Sequence, residues 1–108
     1  MHRLVVLYGT PADPAHFRRH YEEVHVPLAR QVPGIRTMRY SLDVAGVPAN
    51  GDGFNPLEHE ITVFCAFEAE WDDLPAMVAA LGSPEGEAVV ADVPNYATGG
   101  YLRFHYEV

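Results

Sequence analysis

Two short runs, Leu4–Tyr8 and Ile61–Phe67, are apolar at neighbouring as well as alternate positions. A strand of this kind has side chains to bury on both faces, so it belongs inside a sheet with cover on each side. The chain around them must supply that cover. The first run stops at Gly9-Thr10-Pro11, and Asp13-Pro14 then opens a helix, with Asp13 as N-cap and Pro14 where a missing N–H costs nothing. Phe17, Tyr21, Val24 and Leu28 follow at helical spacing. Pro27 has no N–H for the carbonyl of Glu23, so the helix is expected to kink or restart near His25-Val26 and to end at Pro33-Gly34.

From Ile35 to Val44 the period becomes two, with Met38, Tyr40, Leu42 and Val44 on one face. Residues 45–57 are rich in glycine and proline and read as a loop, with the reach of a lid. After the second apolar run, Trp71, Leu74, Met77, Val78 and Leu81 read as the inward stripe of a helix stopped by Gly82. Ser83-Pro84-Glu85 opens a short helix that Pro94 ends. In the last strand Leu102, Phe104, Tyr106 and Val108 alternate with Tyr101, Arg103, His105 and Glu107.

Strand, helix, strand, strand, helix, strand is the order of the split βαβ, or ferredoxin-like, α+β fold, with a four-stranded antiparallel sheet and both helices on one face. The 108 residues suffice for one such domain, spanning 1–108. The helix-free face would then expose an apolar patch larger than a monomer ordinarily tolerates. Pairing of two copies through that face covers it, so a homodimer closing a barrel around small-molecule pockets is expected.

Tyr8 with Pro11-Ala12-Asp13-Pro14, then Phe17 and Tyr21, His25-Val26-Pro27-Leu28, Pro33-Gly34, and Ser83-Pro84-Glu85-Gly86 followed by Asp92 form an ordered set across nearly the whole chain. In that set the chain resembles the EthD family of the dimeric α+β barrel superfamily. The resemblance implies a ferredoxin-like homodimer. It also implies a link to bacterial ether degradation, where the namesake is associated with a monooxygenase system for ethyl tert-butyl ether. Wider relatives resemble polyketide cyclases, lactone isomerases, cofactor-free oxygenases and haem-degrading enzymes, so fold alone leaves the reaction open.

Composition removes several chemistries. The seven basic residues are all arginine and the net charge is -8, which excludes lysine Schiff bases and disfavours a nucleic-acid phosphate backbone. Ser41 and Ser83 are the only serines, one mid-strand and one a helix cap, so no serine nucleophile is placed for a triad. Gly51-Asp52-Gly53 precedes a strand, not a helix, and is no phosphate loop. His16 and His20 stand four apart without a third ligand and read as an exposed helix face, so no metal and no cofactor is expected. Cys65 reads as core. A lone cysteine, no long apolar segment and no leader pattern point to the cytoplasm, with no membrane.

The catalytic candidates are His25 and Asp92. His25 lies about 40° around the helix from Tyr21, at the border of the inward stripe, and histidine is the usual proton-transfer residue near neutral pH. Its alternative is a cap on free carbonyls before the proline break. Asp92, in the last turn of a helix, needs compensation for its charge. Either backbone N–H groups of Asn95 or Tyr96, or His25 itself, would supply it. Tyr8, Tyr40, Tyr96 and Tyr21 are the substrate-binding candidates; Tyr8 and Tyr96 are the best placed, and Tyr21 the readiest to pack instead. These residues fit an enzyme that isomerises, cyclises or oxidises a small oxygenated apolar or aromatic compound, the oxidoreductase option coming from the resemblance. The alternative is a non-catalytic ligand-binding protein or an accessory to a monooxygenase. Haem binding through His25 or His105 is a third reading.

Overall fold

In the computed structural model, which describes residues 1–45 and 63–108, the strands are β1 (His2–Gly9), β2 (Thr37–Ser41), β3 (Val63–Trp71) and β4 (Tyr101–Glu107). They form one antiparallel sheet in the order β2-β3-β1-β4. The two runs that are apolar on both faces are thus the two interior strands. The helices are α1 (Pro14–His20), α2 (Val26–Ala29), α3 (Leu74–Leu81) and α4 (Pro84–Asp92). Their buried residues pack with Val6, Tyr8, Cys65, Phe67, Ala69 and Trp71 on one face of the sheet. The fold is ferredoxin-like α+β, as its element order requires.

Asp13, Asp73 and Ser83 cap α1, α3 and α4 by accepting from the backbone N–H three residues on, each with a proline in the first turn. An irregularity does fall at His25-Val26, but the helix does not break at Pro27. Tyr21–His25 instead widens into a π-helical turn that leads straight into α2, and such turns relieve a missing donor by shifting the hydrogen-bond register.

Trp71 is the last residue of β3, not the first of a helix. The alternation Cys65, Phe67, Ala69, Trp71 simply runs on toward the helices, and the indole donates to the carbonyl of Pro33 at 2.9 Å. Gly34 makes the turn beneath that ring with φ +78°. Starting α3 at Leu74 rotates its stripe: Met77 and Ala80 are buried, while Leu74 and Val78 are exposed, Val78 by 59%. β2 is shorter than its alternating pattern, although Leu42 beyond its end is still buried. The start of the second apolar run at Ile61, and the glycine-rich stretch read as a lid apart from Ala45, fall outside the described residues.

Gly86 lets α4 close on the end of α3. A Cβ there would overlap the carbonyl oxygen of Ala80 and stand 2.6 Å from that of Leu81. Gly→Ala inside a helix normally gains up to about 1 kcal/mol. Here we expect the opposite sign, a loss of about 1–3 kcal/mol from overpacking, read from the denaturant midpoint of Gly86→Ala.

Candidate functional site

The π-helical turn carries His25 to the inner surface of its helix, where only 3% of the residue remains exposed. Its ring stacks on Tyr21, with centroids 5.2 Å apart, and meets Tyr96 edge-on at 4.7 Å. Asp92, at the end of α4, sits opposite. Its two oxygens accept from His25 Nδ1 at 3.0 Å, from His20 Nε2 at 2.8 Å and from the Asn95 side-chain amide at 3.0 Å. Three side-chain donors therefore meet the charge that helix position alone would disfavour.

Burial works to lift the Asp92 carboxyl, but those donors overcome it and hold the group below the usual carboxylate range. Burial lowers the His25 pKa below its ordinary 6.5 despite the pull of Asp92. The pair is thus carboxylate and neutral imidazole. With Nδ1–H committed to Asp92, Nε2 keeps its lone pair, and it has no hydrogen-bond partner among the described residues.

His25 faces a cavity of about 310 Å³ between helices and sheet. Its walls are mostly apolar, with Val6, Phe67, Met77, Leu81, Val89 and Val93 prominent. Tyr8 reaches the same cavity. Its hydroxyl accepts from Tyr96 at 2.7 Å, and burial pushes its pKa up to about 12. This is a hydrogen-bond donor at any physiological pH. The cavity is a half-open cleft formed by one chain on the helical side of the sheet.

The other tyrosines divide. Tyr96 lies behind Tyr8 and His25 as support, fully buried with its pKa raised by desolvation. Tyr21 packs beside Tyr8 and Phe17, and its buried hydroxyl makes no hydrogen bond of sound geometry among the described residues. Tyr40 donates to Glu22 at 3.2 Å and does not line the cavity. Cys65 is core, its thiol pushed up to about 12 by burial.

His16 and His20 are not an exposed face. His16 pairs with the Asn95 carbonyl at 3.1 Å and His20 braces Asp92, because α4 and the turn after it pack directly over them. Among the described residues no group of three or more His, Cys, Asp or Glu could hold a metal ion. No helix there is long and apolar enough to cross a membrane. Sequence reasoning missed the wall given by β4, where Tyr101, Arg103 and His105 line the cavity. Their alternation with Leu102, Phe104 and Tyr106 was visible, but which face looked toward the helices was not.

The electrostatics of the pair have a consequence for stability. The unfolded chain takes up a proton at histidine near pH 6.5 while the folded chain resists it at His25, so stability should fall as pH drops below that value. Asp92 adds to the loss only at lower pH, as the folded carboxylate is finally protonated. Thermal midpoints from about pH 7.5 to about pH 5 measure this, and His25→Gln should flatten the upper part of the decline.

The EthD domain model matches residues 10–100. An uncharacterised 11.0 kDa protein of the thcB-thcC intergenic region in Rhodococcus erythropolis is 34% identical over 100 residues, covering 93% of this chain and 87% of that protein. Among solved structures, an EthD family protein of Bacillus halodurans superposes with TM-score 0.82 at 28% identity, covering 100% of this chain and 98% of the other. A dimeric ferredoxin-like protein of unknown function from Bacteroides fragilis gives 0.65 at 19% identity, covering 99% and 95%. Ordered motifs, fold and sequence similarity over nine-tenths of the chain agree, and the protein belongs to the EthD domain family.

Proposed function

We propose that the chain binds a small, mostly apolar oxygenated compound in the helix-side cavity and catalyses proton transfer on it. In this reading His25 Nε2 removes the proton, Asp92 holds the ring and stabilises the imidazolium, and Tyr8 donates to the oxygen on which charge develops. The observation that carries it is a neutral, carboxylate-backed imidazole facing an apolar cavity. A solvated helix cap would need neither the burial nor the second histidine on Asp92. Proton transfer alone suffices for isomerisation or cyclisation, and an oxidoreductase step would add dioxygen as a second reactant.

The test needs no knowledge of the product. A panel of small ketones, lactones and phenols is incubated with the protein in D2O, and deuterium incorporation is followed by NMR. Exchange that depends on His25 supports catalysis. Binding without exchange in every compound replaces it with a carrier or an accessory to an oxygenase.

The chain is also proposed to act as a homodimer through the helix-free face of the sheet. There Leu102, Phe104 and Tyr106 of β4 are 60%, 40% and 42% exposed beside Val5 and Leu7. The neighbouring half of that face is charged and internally paired, with Glu70 accepting from Arg3 and Thr37 at 2.7 and 2.9 Å.

A further inference from the structure

We infer that the compound taken by this cavity carries an anionic oxygen group, a carboxylate being the simplest, which pairs with Arg103; this rests on the proposed reading of the cavity as a ligand site. Arg103 is the only arginine among its lining residues, in a chain without lysine. It stands opposite Val6 in the sheet register, between Tyr101 and His105 on the same side of β4. Its guanidinium lies over the Tyr101 ring, 5.3 Å from the centroid, which holds it along the cavity wall.

The charges nearby leave it available. Arg3, Arg18 and Arg36 each contact a carboxylate, and Arg103 has none among the described residues. Asp92 is already met by three donors, and His105 Nδ1 is joined to His2 Nε2 at 2.7 Å. A chain of net charge -8 repels anions at long range. Binding one therefore calls for a cation at the cavity, and a planar fork suited to two carboxylate oxygens lines its wall. The ligand so defined is amphipathic: an apolar body among Val6, Phe67 and Met77, and an anionic oxygen at β4.

Isothermal titration at pH 7 and low salt with 3-phenylpropionate and its neutral amide, 3-phenylpropionamide, tests this. We expect the wild-type chain to prefer the carboxylate by roughly tenfold or more, as a charge-assisted contact allows. Arg103→Gln should bring the two affinities level, while Arg19→Gln, which removes the same charge from α1 outside the cavity lining, should keep the preference. Equal affinities in the wild type, a preference that survives Arg103→Gln, or no binding of either probe by the folded protein would each overturn the inference. Failure of the catalytic reading looks different: the carboxylate preference stands, yet no compound exchanges deuterium.

Discussion

His25→Gln is expected to lower the rate of ligand deuterium exchange by roughly 10²- to 10⁴-fold, the range over which a positioned general base acts. Glutamine keeps a polar side chain in the space against Tyr21 and Tyr96 but has no basic lone pair. Circular dichroism and an unchanged cavity affinity for a bound probe would show that the fold persists. Asp92→Asn separates orientation from basicity. The neutral amide removes the charge that raises the His25 pKa, so burial acts unopposed and the acid limb of the pH–rate profile moves to lower pH. The rate itself falls, because an amide N–H turned toward Nδ1 favours the tautomer with its proton on Nε2, the wrong nitrogen for a base. In the wild type the neutral imidazole is active, so the rate should already be on its plateau at pH 7 and decline only below 6.5. Exchange that continues at the wild-type rate in His25→Gln removes His25 from the chemistry.

Much of the frame was legible because it depends on local rules. Two caps followed by prolines, Asp13-Pro14 and Ser83-Pro84, marked two helix starts, and apolar cover on both faces placed β1 and β3 in the interior. The misreadings came where two rules met. Trp71 fits a helical stripe as well as a strand, and only the Pro33 carbonyl, distant in sequence, decides between them. Pro27 predicted a kink or restart near His25-Val26 but not its form, a π-helical turn that brings His25 inward.

The candidate site was half legible. His25 and Asp92 stood out as a titratable residue at a helix border and a charge at the wrong end of a dipole, and each proves to be a partner of the other. His20 could not be assigned to the same carboxylate, because its separation of 72 positions from Asp92 is closed only by packing, and Asn95, three residues on, was read for its backbone N–H and not its side-chain amide. Arg103 was hidden by an ordinary assumption. On most edge strands the polar alternate faces water and the apolar alternate faces the core, whereas β4 turns Tyr101, Arg103 and His105 toward the cavity and Leu102 and Tyr106 outward, with Phe104 also touching the cavity.

That inversion makes the assembly testable with a large effect. Leu102→Glu combined with Tyr106→Glu, neither of which lines the cavity, should convert the proposed dimer to a monomer, read by analytical ultracentrifugation at micromolar concentration. In a two-fold interface each substitution appears twice on one self-complementary patch, so the double variant sets four new carboxylates into a single apolar contact. Like charges so placed, each stripped of water, cost several kcal/mol, enough to shift a dissociation constant by a thousandfold or more, taking about 1.4 kcal/mol per factor of ten. The folded monomer should survive, because both side chains are already exposed in the isolated chain and contribute little to its own core. Arg103 and His25 lie toward the other face of the sheet, so carboxylate binding by the monomeric variant should persist. A wild-type chain that sediments as a monomer at every concentration would remove the dimer and leave Leu102, Phe104 and Tyr106 facing solvent.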